Sequence, residues 1–154
     1  MHRPHRFVWL LLLLVLSGCL GKPPYEGKSV AELEAMLHSA DPTVQAQGAV
    51  GLSQLGPEAR AAVPALAEVL KNGAPLVRQQ AALALGKIGP DAQDAVPALM
   101  DALRDPEWQV RRQAAQALGQ VGPAAAAAGP VLKQLAHDPD SLVRKAAREA
   151  LKKI

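Results

Sequence analysis

Few of the 154 residues carry reactive chemistry, and those few do not converge. Cys19 is the single cysteine, which excludes an intrachain disulfide and any CxxC metal or redox pair. His38 and His137 have no second ligand at metal spacing and read as surface histidines. What recurs is charge. Arg78, Arg111 and Arg144 form one evenly spaced series, and Glu68, Asp101 and Gln134 form another, each followed at i+3 by Lys71, Arg104 or His137. A catalytic assignment needs groups of perturbed chemistry brought together in a pocket. Evenly spaced charges point to a binding surface, so no catalytic residue, cofactor, metal or small-molecule substrate is expected.

The spacing of these series is that of the whole chain. Val44, Val77, Val110 and Val143 recur every 33 residues, as do Leu52, Leu85, Leu118 and Leu151 and the pairs Gly56-Pro57, Gly89-Pro90 and Gly122-Pro123. Such a period marks a solenoid in which each unit buries its apolar face only against its neighbours. Each repeat reads as two helices. In the first, Val77, Ala81, Ala84, Leu85 and Ile88 share a face, and Gly-Pro stops it, glycine supplying a left-handed terminus. In the second, Pro64, Pro97 or Pro130 sits in the first turn, where a missing N–H costs nothing, and Val63, Leu66 and Leu70 form the buried stripe. The run Ala124 to Ala128 followed by Gly129 makes the third such helix start less securely.

The expected organisation is a leader over residues 1–18, a tether over 19–28 and a repeat domain over 29–154. Within the domain, a half repeat at 29–40 opens with the capping box Ser29-Val30-Ala31-Glu32. Repeats follow at 41–72, 73–104 and 105–137, and a helix at 138–154 closes the array. On that last helix Arg148, Glu149 and Lys152 replace small or apolar residues, as a capping helix requires, and the chain is expected to be complete there.

Arg3 and Arg6 precede an apolar run from Phe7 to Leu16, the form of a secretory signal too short to read as a stable membrane span. Leu16-Ser17-Gly18-Cys19 resembles the lipobox of bacterial lipoproteins, which implies lipidation at Cys19. Leu20, where an aspartate would imply inner-membrane retention, implies the outer membrane if the host has one. The tether at full extension reaches about 30 Å and would keep the domain near the bilayer. Without Arg3 and Arg6, 15 of the 17 Lys and Arg face 14 Asp and Glu, near +1. That balance gives no support to nucleic-acid binding, which needs a clustered positive footprint.

Asp105-Pro106, Val110-Arg111, Ala114-Ala115, Ala117-Leu118-Gly119 and Val121-Gly122-Pro123, with Ala95-Val96-Pro97-Ala98-Leu99, resemble the short HEAT-like repeat of phycobilisome lyases. The resemblance covers about Val30 to Ile154 and implies an all-α, right-handed α-solenoid of stacked helix pairs. It departs at Gln45, where an arginine is expected, and at Asn72-Gly73, where Asp-Pro is missing, so the first repeats should have fewer polar ties. HEAT-like hydroxylases carry iron on paired His-Glu dipeptides, and none occurs here.

Arg78, Arg111 and Arg144 either form a ladder for an anionic partner or pair with turn carboxylates such as Asp105 and Asp138, which the guanidinium fork suits. Glu68, Asp101 and Gln134 point away from the buried stripe, towards what the resemblance implies is the concave side, with charge neutralised within each helix. Trp108 occupies an inter-repeat turn and serves either as a binding hot spot or as cover for Ala-rich helices. Arg112, Lys145, Arg148, Lys152 and Lys153 make the C-terminal end basic, as a solvated cap or a contact. The expectation is a monomeric, lipid-anchored, non-enzymatic scaffold or accessory factor of the bacterial envelope with a protein partner. The alternatives are a structural envelope or cell-wall-associated lipoprotein, or a bilin-lyase-like or hydroxylase-like enzyme.

Overall fold

The computed structural model describes residues 22–154. The leader, Cys19 and the first part of the tether therefore lie outside the described residues. The rest of the tether is not a free arm. Tyr25 packs half-buried against the core, and its hydroxyl lies 3.5 Å from Gln54 Nε2.

Among the described residues the chain is all-helical. Helix α1 spans Val30–Leu37 and α2 Pro42–Leu55, and a 3-10 segment, Gly56–Ala62, leads into α3, Val63–Asn72. The pattern repeats as α4, Pro75–Ile88, a 3-10 segment Gly89–Ala95 and α5, Val96–Ala102. It repeats again as α6, Trp108–Val121, a 3-10 segment Gly122–Ala128 and α7, Gly129–Leu135. Helix α8 spans Ser141–Ala150. Stacked helix pairs make an α-solenoid.

The repeats thus carry a third element between the two expected helices. Gly-Pro opens a 3-10 segment, which is pinned by alanines at one period, Ala59, Ala92 and Ala125, each without exposure. Even the alanine run before Gly129 adopts it, and α7 begins at Gly129 as α5 begins at Val96. Gly56, Gly89 and Gly122 have φ of 57°, 75° and 80° with ψ of −129°, −135° and −144°. This is the mirror image of the extended region and not the left-handed helical conformation expected from the sequence.

The capping box at Ser29 and Glu32 is present: Glu32 N–H donates to Ser29 Oγ at 3.3 Å, and Ser29 N–H to Glu32 Oε2 at 2.9 Å. The Ser29 backbone and hydroxyl bonds hold the Glu32 carboxyl below the usual glutamate value.

The core is one continuous stack of Ala, Leu and Val. Leu52, Leu85 and Leu118, with Leu66, Leu99 and Leu132, are fully buried at successive periods. Leucines fill the space between rows, while alanine and glycine set the spacing within the row of α2, α4, α6 and α8. A Cβ on Gly119 would stand 2.9 Å from Ala150 Cα, so α6 and α8 meet backbone to backbone. No described helix is long and apolar enough to cross a membrane.

Candidate interaction surface

Two of the three periodic arginines face turn carboxylates. Arg78 Nε donates to Asp105 Oδ2 at 2.7 Å and Nη2 to Oδ1 at 2.9 Å, while Nη1 reaches Gly73 O at 2.9 Å. Arg111 repeats this on Asp138 at 2.8 and 3.1 Å, with Nη1 on Asp105 O. The carboxylates also close their own turns, accepting the N–H of Glu107 and of Asp140. Arg144 meets only the carbonyls of Asp138 and Pro139, both at 2.8 Å. Gln45 keeps one carbonyl bond, to Ser39 O at 2.9 Å, and makes no tie to Asn72.

The hydrogen bond to Asp105 is the main cause raising the Arg78 pKa. Burial alone would raise the Asp138 carboxyl. The Arg111 side chain, the Asp140 N–H and the charges of Arg111 and Arg144 outweigh burial and hold it below the usual aspartate value. Arg78 and Arg111 are joints between repeats, with their forks already filled.

Glu68, Asp101 and Gln134 are exposed on α3, α5 and α7. Glu68 borders a depression of about 390 Å³ with Leu37, His38 and Gln45, and Asp101 borders a separate one of about 310 Å³ with Leu70 and Lys71. Among the described residues neither Glu68 and Lys71 nor Asp101 and Arg104 form a direct ion pair. Nor is this row the inner one. Helices α2, α4, α6 and α8 pack directly on one another through small residues, whereas α5 and α7 barely touch. A stack bends towards the row whose members approach most closely, which puts Glu68, Asp101 and Gln134 on the outer side.

Trp108 opens α6, half-buried against the core, and Arg112 lies over its ring at 5.7 Å from the centroid. The indole thus covers the helix end while its face is occupied by a cation. Leu76 and Leu142, the exposed large apolar side chains among the described residues, sit at the starts of α4 and α8 on the same turn edge. Arg148 turns back to Ala136 O at 3.2 Å, and Lys145 approaches Glu149 at 4.0 Å.

The inner row carries a feature not anticipated from the sequence. A groove of about 240 Å³ crosses α4, α6 and α8, floored by Gly86, Ala117, Gly119 and Ala150 and bordered by Lys87, Gln113, Gln116, Gln120, Glu149 and Lys153. Gln113 is 8% exposed and makes no side-chain hydrogen bond among the described residues. The signal was present: eight of the eleven glutamines, including Gln47, Gln80 and Gln113 at one period, fall on the outward face of the inner row by helical register. Amides carry no formal charge, so this row does not show in the pattern of Asp, Glu, Lys and Arg.

Among the described residues no three His, Cys, Asp or Glu side chains group as metal ligands would. Two stretches, residues 30–93 and 90–152, match the family described as HEAT repeats. No curated protein sequence matches the chain. Among solved structures, an engineered protein is 28% identical with a TM-score of 0.66, covering 80% of this chain and 61% of its own. Human deoxyhypusine hydroxylase in complex with glycerol is 30% identical with a TM-score of 0.63, covering 93% of this chain and 52% of its own. The complex of CpcE and CpcF of phycocyanin lyase from Nostoc sp. PCC7120 is 25% identical with a TM-score of 0.57, covering 86% and 68%. The chain therefore spans about three fifths of the engineered protein and half of the hydroxylase.

Proposed function

The chain belongs to the HEAT-repeat family, and from that premise we propose that it is a lipid-anchored interaction platform of the bacterial cell envelope, non-enzymatic and monomeric. The observation that carries this reading is the pairing of Leu16-Ser17-Gly18-Cys19 with a solenoid whose chemistry is spread over faces. Perturbed groups mark candidate catalytic sites. Here Arg78 and Asp138 are perturbed by their inter-repeat pairs and Glu32 by its capping box, so structural joints account for all three.

A fatty-acid analogue should label the protein in its bacterial host, and Cys19→Ala should remove both label and membrane fractionation. Continued fractionation of that variant would mean an uncleaved leader holds it. Crosslinking in the native envelope should capture one partner.

The likeness to the hydroxylase and the lyase favours a second reading, an enzyme on the same scaffold. Stoichiometric binding of iron or of a bilin by the purified protein would establish it.

A further inference from the structure

The inner row has an open place at its N-terminal end. Along that row each helix offers an alanine to the glycine of the helix before it: Ala117 meets Gly86, and Ala150 meets Gly119. Gly51 on α2 holds the same position two periods before Ala117, yet among the described residues no inner-row helix precedes α2. Tyr25 stands there instead. A Cβ on Gly51 would lie 2.9 Å from Tyr25 Cβ, and Gly51 is buried although it ends the row.

Resting on the lipid anchor of the proposed function, we propose that Pro23 to Lys28 form a latch. Tyr25 fills the place of an inner-row helix and turns the N-terminal end of the solenoid towards the bilayer, with the C-terminal end standing away from it.

The sequence builds the latch as two successive β-turns. Glu26 N–H donates to Pro23 O at 2.9 Å with Pro24 at the second position, and Lys28 N–H donates to Tyr25 O at 3.3 Å with Gly27 at the third, at φ 76°. Proline and glycine are the residues these two positions favour. Ser29 then caps α1 directly, so no slack remains between Tyr25 and the first helix. The hydroxyl of Tyr25 adds little, since its contact with Gln54 is 3.5 Å long; packing against Gly51 holds it.

Chain length sets the geometry. Cys19 lies six residues before Tyr25, at most about 20 Å of extended backbone. From α2 to α8 the inner row makes three steps of about 8–10 Å, so its far end lies about 25–30 Å beyond the latch. A lipid on Cys19 thus confines the N-terminal end to the membrane surface and leaves the C-terminal end clear of it. The flanks do not compete for the bilayer. A surface-bound helix presents an apolar stripe edged with basic residues. Leu76 and Leu142 are instead two repeats apart, on a turn edge that also carries Glu107 and Asp140. On the latch itself Lys22 is offset by Glu26 at 3.8 Å. The point of attachment, and not affinity for lipid, sets the orientation.

The test uses the lipidated protein, purified from its host and reconstituted in phosphatidylethanolamine–phosphatidylglycerol vesicles that carry an acceptor-labelled lipid. Ala35→Cys in α1, Leu76→Cys on the turn edge and Lys153→Cys at the far end each take a donor dye at an exposed position. Energy transfer should be strongest from position 35 and weakest from position 153. Tyr25→Ala should extend the free chain to Ser29, ten residues from Cys19 or about 35 Å, and so level the three signals. Tyr25→Phe keeps the ring and should preserve their order. Trypsin gives an independent reading. Cleavage after the half-buried Lys28 should speed up about tenfold in Tyr25→Ala and stay unchanged in Tyr25→Phe.

Equal transfer from the three sites with Tyr25 in place, or stronger transfer from position 76 than from position 35, would overturn the end-on orientation. An unchanged pattern and unchanged cleavage in Tyr25→Ala would overturn the latch. The anchor fails separately. If the purified protein carries no lipid and does not float with vesicles, the anchor falls and the orientation with it, while the tryptic contrast in solution still decides the latch.

Discussion

Arg78 on α4 and Asp105 in the turn before α6 are joined by two parallel hydrogen bonds of 2.7 and 2.9 Å across 27 residues of chain. The Asp105 carboxylate also accepts the Glu107 N–H, so one side chain both shapes a turn and ties the preceding repeat to it. Arg111 and Asp138 do the same one period on. In a solenoid, stability is close to a sum of repeat and neighbour terms, and these pairs belong to the neighbour term.

Removing Asp105 should therefore cost more than a surface ion pair does. The side chains of Arg78 and Asp105 are 16% and 8% exposed, so little of the pair is screened by water. Asp105→Ala leaves a guanidinium facing a void and opens the turn, for an expected loss of about 2–4 kcal/mol. Arg144→Ala, which forfeits only carbonyl bonds, should lose about 1 kcal/mol. Urea unfolding of both variants checks the contrast, and equal losses would mean the carboxylate links do not hold the repeats together.

Asp138 makes stability pH-dependent, with a definite sign. Its folded carboxyl lies below the ordinary aspartate value of 3.8, so the unfolded chain binds more protons as pH falls and stability rises with pH in that window. The contribution is fully present above the unfolded value and is lost as pH drops through the lower, folded one. Urea midpoints between about pH 2 and 6 should fall steeply for the wild type on the acid side. Asp138→Asn should be less stable at neutral pH and show a flatter profile. A wild-type profile no steeper than that of the variant would remove Asp138 from the account.

Much of this was legible from periodicity. The recurrence of Val77 with Val110 and of Leu85 with Leu118 placed the core faces, because a helix can bury such positions in only one way. The fork of Arg78 and its distance from Asp105 suggested the joint, since a bidentate donor needs a carboxylate one turn away in the next repeat. The 3-10 segments were not legible: Pro and Ala are compatible with a loop, and burial of Ala59 and Ala92 is decided by tertiary contact. The inner face is not legible in the sequence for a related reason. Which row is closer depends on how deeply Gly119 lets α8 approach, a distance no sequence pattern states.

Gly89 should resist replacement by asparagine as firmly as by alanine. Asparagine tolerates the left-handed helical region, but Gly89 lies at φ 75° and ψ −135°, which side chains avoid whatever their hydrogen bonding. Both substitutions should cost about 1–3 kcal/mol. Thermal or urea denaturation of the two variants compares them directly. A markedly milder asparagine variant would mean the terminus had relaxed into an ordinary left-handed cap.

Gly119 and Gly86 sit at equivalent positions of α6 and α4, yet alanine should affect them differently. Within a helix, alanine gains about 1 kcal/mol over glycine. At Gly119 the new Cβ would lie 2.9 Å from Ala150 Cα and 3.2 Å from its Cβ, contacts that yield only if α8 moves as a body. Overpacking of that kind costs about 1–3 kcal/mol, so Gly119→Ala should be destabilised on balance by about 1 kcal/mol. At Gly86 the nearest atom is Gln120 Oε1 at 3.0 Å, the free end of a flexible side chain, although Ala117 Cα follows at 3.1 Å. Propensity and crowding then nearly cancel, and Gly86→Ala should stay within about 0.5 kcal/mol of the parent. Chemical denaturation of both variants supplies the ordering. If Gly119→Ala proves the more stable of the two, α8 is held less tightly than its backbone contact with α6 implies.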